Sequence, residues 1–143
     1  MKGFTLVEML IVVAIIGIFM IPLLITYRSS QNNQKLRVVA EEFADQVRTV
    51  HIYARDAKDK KSWGIKLSDN GYSLLSGRAD SYKVDKSFSL GKNIEFEKDQ
   101  LVWFEIGTGQ TDRDYEVVIV DTRGKKIAVK ISKNGIVEVG DLE

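Results

Sequence analysis

The longest uncharged stretch of the chain, Met9–Tyr27, contains 19 residues and constrains the fold more than any other feature. A helix needs about 20 apolar residues to cross a hydrocarbon core of about 30 Å. Extending the stretch back to Phe4 supplies that length, at the cost of including Glu8. Nearly all charged residues follow it, from Arg28 onward. The pattern predicts a membrane-spanning helix at residues 4–27 joined to one globular domain.

Three ordinary kinds of segment share this apolar character. A cleaved secretory signal has a shorter apolar stretch and small residues at its cleavage site, whereas Thr26–Ser30 offers no such site. A buried core helix would need a larger domain around it than the rest of this chain provides. A plain signal anchor fits the length and stays open as an alternative. The positive-inside rule does not fix the orientation, because Lys2 and Arg28 flank the stretch on opposite sides.

Glu8 is the residue that a plain anchor leaves unexplained. A charged side chain costs about 2–3 kcal/mol at the centre of a membrane helix and less toward the interface. No Lys, Arg or His lies within two helical turns downstream of Glu8. A partner for this carboxylate must therefore come from outside the helix.

A cut after Gly3 would supply such a partner on another copy. The cut frees the amine of Phe4, which is positively charged near neutral pH. A neighbouring subunit, shifted along the helix axis, could then offer its Phe4 amine to Glu8. Leaving either charge alone in apolar surroundings is costly, so the pairing gives a physical rule for adding subunits.

The N-terminal sequence MKGFTLVEMLIVVAIIGI resembles the class III signal of type IV prepilins and type II secretion pseudopilins. The residues that carry the resemblance are Lys2, Gly3, Phe4, Thr5, Leu6, Glu8 and the apolar stretch after them. The resemblance implies cleavage between Gly3 and Phe4 by a prepilin peptidase, an aspartic protease in the membrane. It also implies N-methylation of Phe4. The mature chain would keep 143 − 3 = 140 residues and a formal charge of 1 − 1 = 0.

Gly17 and Pro22 interrupt the apolar helix. Proline lacks the backbone donor and clashes with the preceding turn, so we expect a kink near Ile18–Pro22. One interpretation is a tolerated kink, since membrane helices accept proline. The other is a weak point that lets the helix stretch when the subunit leaves the bilayer for a filament.

Beyond the apolar stretch the sequence predicts an amphipathic helical segment at residues 28–61. The helix itself is predicted to end near Ala57, before a charged turn. The polar segment Ser29–Gln34 contains no Gly or Pro, which favours a continuing helix. Apolar residues then recur at helical spacing. They are Leu36, Val39, Ala40, Phe43, Ala44, Val47, Val50 and Ala54. This face should be buried.

From Trp63 the apolar period changes to two, which indicates β-strands. Trp63–Leu67 and Tyr72–Ser76 flank Ser68–Gly71, a hairpin signal. Further strands are predicted at Asn93–Glu97, Leu101–Glu105, Glu116–Asp121, Lys126–Ser132 and Ile136–Val139. The segments Ser76–Ser87 and Gly107–Asp114 are interpreted as loops. About seven short strands therefore form an antiparallel β domain at residues 62–143, consistent with two packed sheets.

The predicted fold class is α+β and pilin-like, with a three-residue leader, a long N-terminal helix and a β domain. The order of elements resembles the GspH/FimT minor pseudopilin group, from the helix EEFADQVRTVHIYARDAK through a Trp-led hairpin to EVVIVDTRGKKIAVKISKNGIVEV. That closing part includes the turn at Asn134–Gly135. The chain departs from many major type IV pilins because it has no cysteine to close its C-terminal region.

The sequence offers little for catalysis or for a metal. Without cysteine, and with His51 as the only histidine, a transition-metal site and a nucleophile–histidine arrangement lack their residues. Gly107–Gly109 lacks the rest of a phosphate-binding loop. Asp80 and Asp85 do not match the spacing of a calcium loop. We therefore expect no enzyme activity, no cofactor and no metal, and we interpret His51 as a structural or surface residue.

Binding of DNA is the alternative function, because some minor pilins of the FimT kind help to take up DNA. Two basic clusters, at residues 58–61 and 123–126, would have to form the basic patch. Acidic residues lie near both clusters, the chain ends in Asp141–Glu143, and the formal net charge is only +1. Solvated turns are the simpler interpretation. The hypotheses are thus a structural subunit and a membrane-tethered or filament-tip module that binds DNA or an exported protein.

The resemblance also implies partners and a location. The partners are other pilin or pseudopilin subunits, the prepilin peptidase and N-methyltransferase, an inner-membrane assembly platform and, before assembly, membrane lipid. The chain would cross the inner membrane once with its C-terminal domain outside the cytoplasm. After assembly it would belong to a pilus or pseudopilus.

Overall fold

The computed structural model describes residues 5–143, apart from the side chains of Leu23 and Ile25. A 50-residue helix, α1 (Leu6–Arg55), is followed by a single 3-10 turn at Lys58–Lys60. The strands are β1 (Ser62–Ser68), β2 (Gly71–Arg78), β3 (Ser81–Ser89), β4 (Ile94–Phe96), β5 (Leu101–Phe104), β6 (Tyr115–Asp121), β7 (Lys126–Ile131) and β8 (Val137–Leu142). Internal contacts divide the chain into two compact units, Met1–Gln34 and Lys35–Glu143.

The described part of the first unit is helical from Leu6 to its end. This helix is long and apolar enough to cross a membrane, and none of its most apolar 18-residue stretch is buried within the molecule. Ser29–Gln34 is helical as predicted, because nothing in this polar segment interrupts the backbone hydrogen bonds.

In the second unit, the predicted apolar face of α1 forms the centre of the core. Seven of its eight residues are fully buried and Val39 packs against them from the edge. The buried residues are Leu36, Ala40, Phe43, Ala44, Val47, Val50 and Ala54. The helix ends at Arg55, and the 3-10 turn Lys58–Lys60 lies in the remainder of residues 28–61.

Two four-stranded antiparallel sheets complete the core. Sheet A has the order β3-β2-β1-β5 and sheet B the order β4-β6-β7-β8. Phe43 of α1 contacts Tyr72 of β2 and Phe96 of β4 edge to face, with ring centroids 5.1 and 5.3 Å apart. Such aromatic pairs add about 0.5–1.5 kcal/mol beyond the area that they bury. One side chain of the helix thus joins both sheets.

The strand count and one loop differ from the prediction. Residues 5–143 contain eight strands where about seven were predicted, and most of the predicted loop Ser76–Ser87 belongs to β2 and β3. β3 is one of the two edge strands of sheet A and is exposed along nearly its whole length. Tyr82, Val84 and Phe88 keep the period of two, but the polar residues around them and the lack of a continuous buried face make the segment look like a loop.

The neighbouring strands β4 and β5 lie in different sheets. β4 pairs with β6 and β5 pairs with β1, so residues 97–100 connect the two sheets. The first hairpin and the hairpin β6–β7 are as predicted, with the register Ser68↔Gly71 at the first turn. Gly107–Asp114 contains no strand, which confirms the predicted loop.

Asp121 closes the β6–β7 turn with a buried carboxylate. Its Oδ1 accepts the backbone N–H groups of Arg123 and Lys125 at 2.9 and 3.0 Å, and its Oδ2 accepts the Arg123 guanidinium. Burial by itself raises the pKa of Asp121, but these hydrogen bonds and the Arg123 charge outweigh it and lower the pKa. The ionised form is therefore the one that stabilises the turn.

We expect Asp121→Ala to destabilise the chain by about 1–3 kcal/mol, since it leaves turn donors without their acceptor. Asp121→Asn keeps an acceptor and should cost less. Because the folded pKa lies below the unfolded value of about 3.9, the ionic contribution is fully present above that pH and is lost as the pH falls from it through the folded pKa. Urea unfolding of the full chain in nonionic detergent at pH 7 and pH 3 measures both effects. A difference between wild type and Asp121→Asn that stays unchanged at pH 3 would contradict this account.

Candidate functional site: the first turn of the apolar helix

The first turn of α1 is capped by its own sequence. Thr5 precedes the helix, and its Oγ1 accepts the backbone N–H of Glu8 at 3.3 Å. A Ser or Thr cap followed three residues later by Glu is a capping-box pattern. This cap satisfies one of the free backbone donors of the helix start and is typically worth about 1 kcal/mol. Thr5 thereby fixes the backbone position of Glu8.

Glu8 is exposed and lies in the first turn of a helix whose next turns are apolar and equally exposed. Within residues 5–143, no ion pair involves its carboxylate. Arg28, the next basic residue along the helix, is 28 − 8 = 20 positions away, or about 30 Å at 1.5 Å per residue. The helix dipole favours an acid at this end, but only by about 0.3–1 kcal/mol.

The predicted cleavage and methylation residues, Gly3 and Phe4, lie outside the described residues. Gly17 and Pro22 lie inside α1, which continues through both. Thr26 Oγ1 donates to the carbonyl of Pro22 at 3.0 Å, and a Cβ at Gly17 would meet no atom within 4 Å. The kink near Pro22 stays a prediction.

His51 lies at the C-terminal end of α1, against two loops. A Cβ added at Gly135 would be 2.2 Å from its Cδ2, and a Cβ at Gly109 would be 2.7 Å from the same atom. The imidazole is 6.0 Å from the Phe104 ring, centroid to centroid. Burial lowers the pKa of His51, Arg55 lowers it further, and Asp56 opposes them. These contacts agree with the structural role expected for His51.

The basic clusters that DNA binding would need are partly engaged within the chain. Arg123 is paired with Asp121, and Lys126 Nζ with Glu97 Oε1. Lys58 Nζ lies 3.6 Å from the centroid of the Tyr53 ring. Pairing of this kind reduces the positive charge that is available to phosphates.

The other candidate residues do not come together as a site. Asp80 lies in the β2–β3 turn and Asp85 on β3, not both in a loop. In the described range 5–143 there is no group of three or more His, Cys, Asp or Glu that could hold a metal. Sequence reasoning missed the Thr5 cap, although the spacing of Thr5 and Glu8 was a readable signal.

Residues 1–24 match the sequence family described as the prokaryotic N-terminal methylation motif. Two solved structures of the minor pseudopilin EpsH from the type II secretion system of Vibrio cholerae resemble the fold. One has a TM-score of 0.59 at 12% identity and covers 73% of this chain and 95% of EpsH. The other has a TM-score of 0.62 at 10% identity and covers 78% and 96%. No curated protein sequence gives a significant match.

The chain has an N-terminal methylation motif and a fold similar to that of the minor pseudopilin EpsH. The two findings concern different parts of the chain, because the motif ends at residue 24 and the predicted β domain begins at residue 62. The motif agrees with the prepilin resemblance of the N-terminal residues. The structural matches agree with the minor pseudopilin resemblance of the order of elements. The pseudopilin likeness is a likeness of fold, since at 10–12% identity few side chains are shared.

Proposed function

We propose that this chain is a structural, minor subunit of a type IV pilus or a type II secretion pseudopilus. It is cleaved after Gly3, methylated on Phe4 and assembled through α1. Glu8 pairs with the Phe4 amine of a neighbouring subunit during assembly. The chain acts by packing and carries no enzymatic activity of its own.

The observation that supports this proposal most directly is the Glu8 carboxylate without an ion-pair partner in residues 5–143. A carboxylate next to an exposed apolar helix costs energy in lipid and in a filament core alike. An amine from another copy removes that cost. An unpaired Glu8 carboxylate thus favours association with other subunits over a role as a monomeric membrane anchor.

The spacing of the two charges defines the relative shift of the copies. Phe4 precedes Glu8 by four residues, which is about 6 Å along a helix. Two parallel helices displaced by roughly one turn would bring amine and carboxylate together. The Thr5 cap keeps the Glu8 backbone in the first turn, where this shift is required.

Intact mass spectrometry of the chain, purified from cells with its native peptidase, tests the processing. The expected mass lacks Met1–Gly3 and carries one added methyl group. A Gly3→Leu chain is the matched control, because a bulky residue before the cut should leave the full-length mass. An unprocessed native chain would contradict the proposal.

The second hypothesis, a tethered module that binds DNA or an exported protein, draws no support from the basic clusters, whose side chains are partly engaged. The two hypotheses differ in the expected result of replacing Glu8. A module that works as a monomer keeps its ligand when Glu8 is removed, whereas a structural subunit loses its function.

A further inference from the structure

The part of α1 that follows the apolar stretch is basic. From Met9 to Ala40 the chain contains no Asp or Glu, and its only charged residues are Arg28, Lys35 and Arg37. All three are exposed, and within residues 5–143 none of them takes part in an ion pair. These three residues are called the basic collar below. Its charges are all of one sign and all accessible.

The basic collar begins directly where the apolar stretch ends. Tyr27, the last residue of that stretch, is 62% exposed, and its hydroxyl accepts a hydrogen bond from Gln31 Nε2 at 2.8 Å. A tyrosine with an exposed ring and a polar tip is typical of the boundary between hydrocarbon and headgroups. Arg28 is the next residue. It therefore lies at headgroup level when the apolar stretch fills the hydrocarbon core.

The other two cations are also within reach of the membrane surface. Lys35 and Arg37 are 35 − 27 = 8 and 37 − 27 = 10 residues beyond Tyr27, which is at most about 12 and 15 Å of helix. The headgroup layer on each side is about 5–8 Å thick, and the Debye length at physiological salt is about 8 Å. Both cations thus lie within about one Debye length of the headgroups, and their long side chains can bend back toward the interface.

The cations of the basic collar are distributed around the helix. At 3.6 residues per turn, Arg28 and Lys35 share one side because they are seven residues apart. Arg37 is nine residues from Arg28 and lies on the opposite side. Lipid surrounds a membrane helix, whereas a protein partner contacts one side of it. Cations on two opposite sides therefore suit headgroups better than a single acidic protein surface.

We propose that the basic collar binds the headgroups of anionic phospholipids and thereby fixes the depth of α1 in the bilayer. The residues between Arg28 and Lys35 are polar or apolar but uncharged, so none of them repels a phosphate. The next acid, Glu41, follows Arg37 by four residues, and the segment from Arg28 to Glu41 still has a charge of 3 − 1 = +2. One basic residue near an anionic membrane surface strengthens association by about fivefold.

This inference goes beyond the proposed assembly, because it needs neither cleavage after Gly3 nor the carboxylate of Glu8. The unprocessed full chain is reconstituted in phosphatidylcholine vesicles whose two leaflets have the same composition, so that its orientation does not matter. The chain has no cysteine, and Ser30→Cys places one bimane fluorophore two residues from Arg28. The measurement compares quenching of this fluorophore by phosphatidylglycerol and by phosphatidylcholine, each spin-labelled near the headgroup.

At about 10 mM salt the fluorophore should report an enrichment of phosphatidylglycerol over phosphatidylcholine of about fivefold or more. The enrichment should fall toward one at about 1 M salt, where the Debye length is only about 3 Å. Arg28→Gln should lower it most and Arg37→Gln least, since Arg28 follows the apolar stretch directly. Replacing all three cations of the basic collar with Gln should abolish it, because no positive charge then remains between Met9 and Ala40.

The matched control replaces three exposed lysines of the second unit, Lys60, Lys61 and Lys83, with Gln. It removes the same charge and should leave the enrichment unchanged, so an equal loss in the control would overturn the inference. Equal quenching by the two lipids, or an enrichment that persists at high salt or without the basic collar, would also overturn it. Soluble glycerol phosphate should not compete at the concentration of the lipid, and displacement by it would contradict binding to a membrane surface. Unchanged tryptophan fluorescence shows that a variant is folded, since both tryptophans lie in sheet A.

Discussion

Replacing Glu8 with alanine is expected to abolish assembly of the chain into filaments while leaving it inserted in the membrane. Alanine removes the acid that an incoming Phe4 amine would meet. Breaking one side of a buried charge pair costs about 3–5 kcal/mol, because the other charge is left uncompensated. That cost corresponds to a factor of about 10² to 10³ or more in the association constant.

The effect of Glu8→Ala on the stability of the isolated, membrane-inserted subunit has the opposite sign. Within residues 5–143, Glu8 has no ion-pair partner that alanine would take away. An uncharged residue there makes the apolar helix more stable in lipid. The Thr5 cap also survives, since Thr5 bonds to the Glu8 backbone and not to its side chain. Loss of filaments together with normal membrane content would thus separate an assembly defect from a folding defect.

The measurement is the amount of chain in sheared filaments relative to membranes, in cells that contain the native assembly partners. Glu8→Gln matches the size of the native side chain and should also fail, because it lacks the charge. Glu41→Ala is the control, since it removes an acid from the part of α1 that packs on the domain. Abundant Glu8→Ala filaments, or an equal loss with Glu41→Ala, would refute the paired-charge mechanism.

The helices and hairpins could be predicted from the sequence because their signals are local. The buried face from Leu36 to Ala54 repeats at 3.6 residues, and the Ser68–Gly71 turn joins two strands that pair with each other. Edge strand β3 keeps a weak period of two at Tyr82, Val84 and Phe88, but its many polar residues and its exposure make that signal hard to tell from a loop. The separation of β4 from β5 depends on which distant strands each one meets, β6 or β1.

The same distinction applies to the functional residues. Glu8 was identifiable because a charge in an apolar stretch is conspicuous whatever the fold. The surroundings of His51 were not, because Gly109 and Gly135 lie in two loops that only the folded chain brings against the end of α1. None of these residues forms a sequence motif with the others. Long-range contacts create these surroundings, and only coordinates reveal them.

The second large effect is expected at Gly135, where alanine should destabilise the chain by about 2–5 kcal/mol. Gly135 has a φ of +81°, which costs a residue with a Cβ about 1–2 kcal/mol. Its Cβ would also lie 2.2 Å from His51 Cδ2. The imidazole of His51 cannot simply move away, because Gly109 packs against the same ring. Overpacking of this kind costs about 1–3 kcal/mol more.

Gly124 provides a matched control for the backbone cost. Its φ of +82° is nearly the same, but a Cβ there would meet nothing within 4 Å. Gly124→Ala should therefore show the conformational penalty alone. Urea unfolding of the full chain in nonionic detergent, followed by tryptophan fluorescence, gives both free energies. The excess for Gly135→Ala is the steric contribution of His51.

A double-mutant cycle identifies the source of that excess. In a His51→Ala background the imidazole is gone, so Gly135→Ala should cost little more than Gly124→Ala does. The two substitutions at 51 and 135 are thus expected to be strongly non-additive, by about 1–3 kcal/mol. Equal costs at Gly124 and Gly135, or an excess that persists without His51, would show that the end of α1 does not hold the β7–β8 turn in this way. Because total stability is only about 5–15 kcal/mol, a steric excess of this size would remove a substantial part of it.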